Sequence, residues 1–415
     1  MSHVAALVCP ECGREFASGE ARATGEAPDS AETANTVDTT DARPPHADCD
    51  GALDVRYDYD ALADRFDLPG EVTDLWEFRP LLPVEDGPVV SLGAGGTRLL
   101  DAPTLSDSLD VTVRVKDETG NPTGSSKDRG TAVAVTRARQ DGHDVVSCAS
   151  TGNAAASLAG YAARAGLDCR IFVPRSVPEA KAVQPRLYGA DVLAVDGTYE
   201  DAYERCRRVC AERGWENLSA GMATYAIEGK RTLGFELAAE APDADWVVVP
   251  MGNGGSLAAV WKGLAEFERL GFLTDTPRML GVQAAGATAI YDRFSGEGGD
   301  HPEAGGTAAD SIDVTAPHNA GRACRALGAS DGDAVVVEDD TILRAQRLLG
   351  ETEGLFVEPA SAAAVAGVER ARATGVVDAD ETVVVVATGS GLKDAETAAS
   401  GLDEFTRGSV GDERR

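Results

Sequence analysis

The stretch N-P-T-G-S-S-K-D-R-G, from Asn121 to Gly130, decides how the rest of this chain is interpreted. Its lysine, Lys127, follows a Pro-Thr-Gly turn and stands at the start of a helical pattern over residues 131–140. Backbone N–H groups at a helix start favour anions, so the stretch can hold an amine beside a negatively charged group. The alternative is a solvated lysine at a helix start, and this stretch alone does not decide between the two.

Lysine is scarce in this chain, which makes each lysine informative. Only six of the 415 residues are lysines, and arginine supplies most of the positive charge. An amine can lose its proton and attack a carbonyl carbon, whereas a guanidinium stays charged. Lys127 is therefore a candidate reactive amine.

The balance of charge argues against several classes of partner. Aspartate and glutamate number 69 against 38 lysines and arginines, which gives a formal net charge of -31. An acidic surface opposes binding to nucleic acid or anionic membranes and is typical of adaptation to high salt. No apolar run approaches the roughly 20 residues that span a bilayer, and the N-terminal segment lacks a basic region before a long apolar core. We expect a halophilic, cytoplasmic protein without nucleic-acid or membrane partners.

Residues 1–56 contain a possible zinc ribbon. A C-x-x-C pair near the N-terminus and an H-x-x-C pair before residue 50 can supply the four N and S ligands of tetrahedral zinc. The acidic span 16–48 between them lacks a hydrophobic period and is predicted to be disordered. A knuckle without metal is the alternative, since the histidine could be an ordinary loop residue. The candidate ligands are Cys9, Cys12, His46 and Cys49.

From residue 57 onwards, β-rich runs alternate with amphipathic helical patterns. Valine runs separated by helices indicate parallel sheets, buried on both faces, in an α/β protein. We expect a large cofactor-binding domain at 57–115 and 233–409, with a small domain, 116–232, inserted in it. The predicted strands are Val111–Val115, Val145–Cys148, Cys169–Val173, Val192–Val195, Trp246–Val249, Met279–Val282, Ala334–Val337 and Val383–Ala387.

Helical patterns fill the segments between these strands. A stretch rich in Leu, Trp and Phe, Ala61–Leu82, is also predicted to be helical, ahead of the first strand. The other predicted helices include Ala154–Ala165, Glu200–Arg213, Leu257–Leu270, Thr341–Leu349 and Ala360–Ala373.

Four connections after predicted strands carry groups suited to binding, because ligands of α/β proteins lie at the carboxyl ends of strands. The first holds Lys127. The second, S-T-G-N at 150–153, offers hydroxyls and an amide at a helix start, although a simple helix cap would also explain it. The third, G-N-G-G-S at 252–256, lets the backbone approach a phosphate, and its spacing matches neither a dinucleotide nor a triphosphate loop. The fourth, A-T-G-S-G-L-K-D at 387–394, offers neutral hydroxyls beside glycines.

An amine, a cradle for one phosphate and neutral donors together indicate pyridoxal phosphate. The motifs resemble the threonine synthase branch of the fold-type II pyridoxal-phosphate enzymes, and the resemblance covers nearly the whole chain. Any one motif is shared with related dehydratases and sulfhydrylases, whereas the set, especially T-G-x-G-L-K-D, is specific for this branch. The matching motifs are K-D-E-T-G-N-P-T-G-S-S-K-D-R-G (116–130), S-T-G-N-A-A-A-S (150–157), Y-A-A-R-A-G (161–166), M-G-N-G-G-S-L (251–257), W-K-G (261–263), G-V-Q-A-A-G-A (281–287), V-E-P-A-S-A-A (357–363) and A-T-G-S-G-L-K-D (387–394).

The resemblance implies a role for each matching residue. Lys127 would bind the cofactor covalently and move protons among the substrate carbons. Asn153 would hydrogen-bond the cofactor's phenolic oxygen, and Thr388 would meet its pyridine nitrogen. Ser150 and Thr151 would orient the substrate carboxylate. The cofactor phosphate would be held by Gly252, Asn253, Gly254, Gly255 and Ser256.

The resemblance also implies a lyase that converts O-phosphohomoserine and water to L-threonine and phosphate, and a homodimer. A doubly anionic substrate requires local positive charge in so acidic a protein. Lys116 is expected to contribute to substrate binding, with Arg129, Lys230 and Arg231 as further candidates. A solvated structural role is the alternative for Lys116, Lys230 and Arg231.

Three positions depart from the pattern of the branch. Ser126 stands where phenylalanine is common, Ser390 where histidine is common, and Ala226 where an arginine usually helps to bind the substrate phosphate. Loss of one such bidentate contact would cost about 1.5–3 kcal/mol of binding free energy. The alternative function is therefore a related lyase or β-replacement enzyme, similar to serine/threonine dehydratases or cysteate synthases. A third hypothesis is a non-catalytic binding protein. The presence of Lys127 and of the glycine loop argues against it.

Overall fold

A computed structural model describes residues 3–9, 12–13, 15–17, 53–63, 66–221, 223–296 and 306–402. Strands and helices alternate through most of this range, as expected for an α/β protein. The strands are β1 (Val4–Val8), β2 (Glu15–Ala17), β3 (Asp54–Tyr57), β4 (Arg98–Asp101), β5 (Thr112–Asp117), β6 (Val145–Ala149), β7 (Asp168–Pro174), β8 (Asp191–Val195), β9 (Glu216–Asn217), β10 (Trp246–Pro250), β11 (Arg278–Ala284), β12 (Asp333–Val337) and β13 (Thr382–Ala387).

The helices cover the faces of the sheets and connect their strands. Short 3-10 turns occur at Leu75–Leu81, Glu118–Gly120, Asp310–Ile312 and Gly391–Lys393. The α-helices are α1 (Tyr59–Ala63), α2 (Pro103–Leu109), α3 (Lys127–Gln140), α4 (Asn153–Ala165), α5 (Glu179–Leu187), α6 (Tyr199–Arg213), α7 (Thr224–Lys230), α8 (Thr232–Glu240), α9 (Gly255–Arg269), α10 (Ala289–Ser295), α11 (Ala320–Ala329), α12 (Asp339–Glu353), α13 (Pro359–Thr374) and α14 (Ala395–Ser400).

Two separate sheets of mainly parallel strands confirm the predicted fold class. The larger has the order β12-β11-β10-β13-β5-β4, parallel except for the antiparallel pair β4 and β5, and the smaller has the order β8-β7-β6-β9. All eight predicted strands are confirmed to within a few residues. In β10, Val247 and Val249 pack into one apolar cluster and Val248 into another, on the opposite face of the sheet. Burial on both faces explains why these strands are continuous valine runs.

The prediction of one helical stretch over Ala61–Leu82 is wrong. Helix α1 ends at Ala63, and the next helical segment is the 3-10 turn Leu75–Leu81. Pro69 and Gly70 lie between them. Proline lacks the backbone N–H that a helix interior needs, and glycine is a weak helix former, so this part of the chain is irregular.

Strands β1, β2 and β3 form a small antiparallel sheet that the sequence did not reveal. Cys9 follows β1 and is buried, whereas Cys12 is exposed. His46, Cys49 and most of the predicted acidic loop lie outside the described residues. Among the residues that are described, no cluster of three or more His, Cys, Asp or Glu side chains is arranged to hold a metal ion. The ribbon and the three domain boundaries stay predictions.

The described residues include no helix that combines the length and apolar character needed to cross a bilayer.

The carboxyl end of β13 lies beside that of β5, which brings two of the binding loops together. Ser125 and Gly389 form an isolated β-bridge. The Ser126 N–H donates to the Thr388 carbonyl over 2.8 Å, and the Ser390 N–H donates to the Gly124 carbonyl over 2.9 Å. The start of α3 is thereby fixed against the end of β13.

Candidate active site

One cavity collects most of the residues that the motifs pointed to. It is lined by Lys127 at the start of α3, by Thr388 after β13 and by the whole loop 252–256 between β10 and α9. These residues come from elements far apart in the chain, and the parallel arrangement of β5, β10 and β13 brings them to one edge of the larger sheet.

Lys127 is half-buried and is the first residue of α3. Burial lowers the pKa of its amine, and the nearby Glu358 carboxylate opposes this change. A lowered pKa increases the fraction of the unprotonated amine, which is the form that attacks a carbonyl carbon. The position therefore suits a reactive lysine.

The glycine loop 252–256 is shaped by close approach of its backbone to neighbouring segments. Gly254 has φ of 79°, and a Cβ atom there would lie 2.9 Å from the Ala323 Cβ atom. The Asn319 N–H donates to the Asn253 carbonyl over 3.1 Å, which fixes the loop from the segment before α11. Gly255 and Ser256 open the 15-residue helix α9 and line the cavity. Helix-start N–H groups and a positive helix end suit a phosphate.

Thr388 presents its hydroxyl to the cavity from a fixed position. Its Oγ1 atom lies 3.0 Å from the Ser361 Oγ atom. Ser361 in turn accepts a hydrogen bond from the Gly389 N–H over 2.8 Å. A hydroxyl can donate or accept, so Thr388 can meet a ring nitrogen without forcing it to be protonated.

Asn153 stands behind the cavity wall rather than in it. Its side-chain amide donates to the two Glu358 carboxylate oxygens over 2.9 and 3.1 Å, and Glu358 lines the cavity. Burial raises the pKa of Glu358, while hydrogen bonds from Asn153 and the charge of Lys127 oppose the rise. The amide nitrogen carries two N–H groups, so one can serve Glu358 and the other a ligand.

Ser150 and Thr151 are half-buried on the connection between β6 and α4, at the same helix start as Asn153. They are not among the residues that line the cavity. Their predicted contact with a substrate carboxylate stays a prediction.

The structure does not bring Lys116 to the cavity, against the expectation that it binds substrate. Its ammonium is fully buried and pairs with Glu236 over 2.9 Å and Glu240 over 2.6 Å. Arg129 is also buried and pairs with Glu118 and Glu236. These side chains point into a charged cluster between β5 and α8, where their positive charge is already neutralised.

Arg231 is structural in the same way. It is 1% exposed, forms ion pairs with Glu228 and Glu266, and stacks on the ring of Tyr57 at 4.2 Å. Lys230, its neighbour in sequence, lines the cavity instead. Of the four proposed contributors to local positive charge, the structure therefore places Lys230 alone in the cavity wall.

Three residues were not assigned a site role from the sequence: Glu358 and Arg322, which line the cavity, and Ser361, which contacts Thr388. Glu358 and Ser361 belong to V-E-P-A-S-A-A (357–363), and the resemblance of this motif to the branch is the signal that could have marked them. Arg322 lies in α11, where no motif marks it. It lines the cavity, pairs with Asp54 over 2.9 Å and donates to Asn319 over 2.7 Å. Among the described residues, its buried Nε atom has no hydrogen-bond partner.

The three departures from the branch pattern occupy different places. Ala226 lines the main cavity. Ser126 is buried and lines a second, smaller cavity, and its hydroxyl has no hydrogen-bond partner in the part of the chain that the structure describes. Ser390 caps the short 3-10 turn Gly391–Lys393 and is not a lining residue of either cavity.

Comparison with known proteins supplies a family. A family model described as pyridoxal-phosphate dependent enzyme matches residues 90–389. The chain is 39% identical to threonine synthase of Methanocaldococcus jannaschii, over 86% of this chain and 90% of that protein. It is 38% identical to threonine synthase of Methanosarcina acetivorans, over 96% of this chain and 95% of that protein. Diaminopropionate ammonia lyase from Escherichia coli has a TM-score of 0.64 at 16% identity, covering 77% of this chain and 94% of that chain, a likeness of fold alone.

Proposed function

The chain belongs to the threonine synthase family of pyridoxal-phosphate-dependent enzymes, and we propose that the cavity around Lys127 is where it converts O-phosphohomoserine and water to L-threonine and phosphate. The observation that carries this proposal is that a lysine with a lowered pKa, a glycine loop at a helix start and a fixed hydroxyl face one cavity.

The residues around the cavity fit pyridoxal phosphate. The lowered pKa of Lys127 suits an amine that must condense with an aldehyde. The positive φ of Gly254 and the N–H groups at the start of α9 suit the phosphate. Thr388 would meet the pyridine nitrogen, and Asn153 the phenolic oxygen. The phosphate would be held by Gly252, Asn253, Gly254, Gly255 and Ser256.

When bound, pyridoxal phosphate supplies the aldehyde and an electron-withdrawing ring that makes protons on the adjacent substrate carbons acidic. The Lys127 amine would remove protons from the substrate Cα and Cβ atoms and return them. Phosphate would leave Cγ with the electrons of the C–O bond, and Cγ would gain one proton to become a methyl group, which balances the one proton lost from Cβ. The hydroxyl of water would join Cβ, and the remaining proton of that water would balance the released phosphate. A small, mobile amine with a lowered pKa suits these successive transfers.

Ser150 and Thr151 are proposed to bind the substrate carboxylate. Their half-buried position at the start of α4 supports this role, because helix-start N–H groups and hydroxyls together favour a carboxylate. The Lys116 ion pairs with Glu236 and Glu240 remove it from this proposal.

A substrate panel tests the proposed function. The holoenzyme is given O-phosphohomoserine, serine and threonine in turn, and phosphate, threonine, pyruvate and 2-oxobutyrate are measured. We expect equal amounts of phosphate and threonine from O-phosphohomoserine. Pyruvate from serine or 2-oxobutyrate from threonine, without phosphate release from O-phosphohomoserine, would instead indicate a dehydratase-like paralogue.

A homodimer is proposed as the assembly. Large apolar side chains on α5 and the adjacent turn are exposed, with Val183 at 59%, Leu187 at 80% and Leu392 at 81%. Apolar side chains grouped on a surface favour contact with another protein. Light scattering of the purified protein should give twice the mass of the chain, and the monomer mass would contradict the proposal.

A structural zinc site and a halophilic, cytoplasmic setting are further proposals. The C-x-x-C spacing of Cys9 and Cys12 supports the zinc site. Metal analysis of a Cys9→Ser, Cys12→Ser variant beside the parent tests it, and equal zinc content would contradict it.

The net charge of -31 supports the high-salt setting. Activity should rise with KCl into the molar range, and a maximum at low salt would contradict that setting.

A further inference from the structure

Two of the six lysines stand apart because they lack the partners that the others have. Within the part of the chain that the structure describes, neither the Lys127 nor the Lys230 ammonium forms an ion pair or a hydrogen bond. Both line the main cavity. The four partnered lysines are Lys116 with Glu236 and Glu240, Lys181 with Asp310, Lys262 with Glu228, and Lys393 with the Thr123 carbonyl and Gln184.

Lys230 lies beside position 226, where this chain has alanine and the branch usually has arginine. It is the last residue of α7, one helical turn after Ala226. Helical side chains lean back toward the N-terminus, so the lysine stem lies over the turn that carries Ala226. A Cβ atom placed on Gly130 would lie 3.2 Å from Lys230 Cγ and 3.3 Å from Ala226 Cβ. Both side chains therefore meet α3 at one point, one turn after Lys127.

Position 126, where this chain has serine and the branch commonly has phenylalanine, also lies beside Lys230. Ser126 and Lys230 line the second, smaller cavity, together with Leu233, Val249 and Val260. Position 126 therefore faces open space beside Lys230. The two departures at 126 and 226 thus surround one side chain, and both replace a large residue with a small one.

The surroundings of Lys230 are positively charged. Burial, followed by the charges of Lys127 and Arg322, lowers the pKa of Lys230 to about 7. The carboxylate that lines the main cavity, Glu358, is hydrogen-bonded to Asn153. Arg322 pairs with Asp54, but the Lys127 and Lys230 amines have no ion-pair partner among the described residues. Because a buried cation without a counter-ion is unfavourable, these two amines favour the entry of an anion. The reaction brings two phosphates to the site, and the loop 252–256 accounts for the one on the cofactor.

We propose that Lys230 binds the phosphate group of the substrate and supplies the positive charge that position 226 lacks. This inference rests on the proposed function, since it assumes a phosphorylated amino-acid substrate. It explains how the chain can retain a phosphorylated substrate although Ala226 has replaced the arginine of the branch. A lysine is a point charge and does not form the bidentate contact of an arginine, so some loss of geometric selectivity follows.

The test compares steady-state kinetics of the holoenzyme and its Lys230→Met variant on O-phosphohomoserine. Loss of one charge-assisted contact should raise KM by about 10- to 100-fold, with a smaller change in kcat. The affinity for pyridoxal phosphate, titrated by its absorbance, should change by less than about twofold, because the cofactor phosphate has its own cradle.

Rescue and control variants complete the test. Adding Ala226→Arg to Lys230→Met should restore most of the lost KM, because a guanidinium then enters the cavity from the preceding turn. Lys230→Arg should keep a KM close to that of the parent. Arg347→Met removes one positive charge from the half-exposed face of α12 and should leave KM unchanged. If Lys230→Met does not fold, the Lys230→Gln variant takes its place.

Two outcomes would overturn the inference. One is a KM that stays within twofold of the parent in Lys230→Met. The other is a matching loss of cofactor affinity, which would assign Lys230 to the cofactor phosphate. Failure of the proposed function is a separate result, since the parent would then release no phosphate. Calorimetric binding of inorganic phosphate to the parent holoprotein, and its loss in Lys230→Met, decides the role of Lys230 in that case.

Discussion

Two groups of charged side chains lie near the start of α3, and they differ in whether their charges are paired. One is a closed cluster around Arg129, and the other is formed by the amines that line the main cavity. In the closed cluster, Arg129 contacts Glu118 and Glu236 through both edges of its guanidinium, and Lys116 contacts Glu236 as well. In the cavity, the Lys127 and Lys230 amines have no such partners among the described residues.

Pairing distinguishes the charged side chains that hold the structure together from those that are available to react. Burial would raise the pKa of Glu236, but Arg129 and Lys116 lower it to about 2, so this carboxylate stays ionised. In the cavity, burial lowers the pKa of both Lys127 and Lys230, and the Glu358 carboxylate opposes this change at Lys127. Paired charges give a fixed structure, and unpaired amines with a lowered pKa are available to substrates.

Breaking the closed cluster should have the largest effect on stability. Arg129→Met leaves the buried Glu118 and Glu236 carboxylates without their main partner. We expect the free energy of unfolding to fall by about 3–5 kcal/mol. Urea unfolding of the parent and the variant measures this change. The matched variant Lys127→Met, two residues earlier, removes an unpaired amine and should change the free energy of unfolding by less than about 1 kcal/mol. Similar losses in the two variants would remove the distinction between the groups.

A pH titration of stability should detect the unpaired amine of Lys230, with a smaller effect. The pKa of about 7 in the folded protein lies below the ordinary lysine value of 10.5. Between these values the unfolded chain binds more protons, so the free energy of unfolding rises with pH. Relative to Lys230→Met, the cofactor-free parent should gain on the order of 1–2 kcal/mol from pH 7 to 10.

The charged groups around Lys230 define the control for this titration. Lys127, Arg322 and Glu358 line the same cavity, and Arg129 lines the smaller one. Because Lys230→Met keeps all four, subtraction of its pH profile isolates Lys230. Parallel profiles for the parent and the variant would contradict a lowered pKa.

The smallest expected effect is on cofactor affinity and comes from removing the serine hydroxyl that contacts Thr388. Ser361→Ala removes the 3.0 Å contact to Thr388 and the acceptor of the Gly389 N–H. One lost hydrogen bond corresponds to about 1 kcal/mol, so cofactor affinity should weaken by about fivefold. Absorbance titration with pyridoxal phosphate measures it. Ser390→Ala, on the adjacent turn but outside both cavities, is the matched control and should bind the cofactor as the parent does.

The sequence predicted those parts of the molecule that local patterns determine. Buried valine runs such as 383–386 identify strands because both faces of a parallel sheet are apolar. The antiparallel strands β1, β3 and β4 were missed because they are only four or five residues long, and so short a run does not distinguish a strand from other structure. The loop residues Lys127, Gly252–Ser256 and Thr388 could be grouped because they all follow strands.

Partners that are remote in sequence could not be predicted. Lys116 was expected at the substrate because nothing local shows that Glu240, 124 positions later, would neutralise it. The contact between Asn153 and Glu358 spans 205 positions and was missed for the same reason. Lys230 and Arg231 are adjacent in sequence, yet the fold directs one into the cavity and the other into ion pairs. Side-chain direction at a helix end depends on the tertiary packing, which no local pattern encodes.

The most direct test of this account is to identify the lysine that carries the cofactor. The holoprotein is reduced with borohydride, which makes the bond between pyridoxal phosphate and lysine permanent, and the digested peptides are analysed by mass spectrometry. We predict a single modified site, Lys127, with Lys230 unmodified although it lines the same cavity. Modification at Lys230, or none at Lys127, would contradict the division of roles between these two amines.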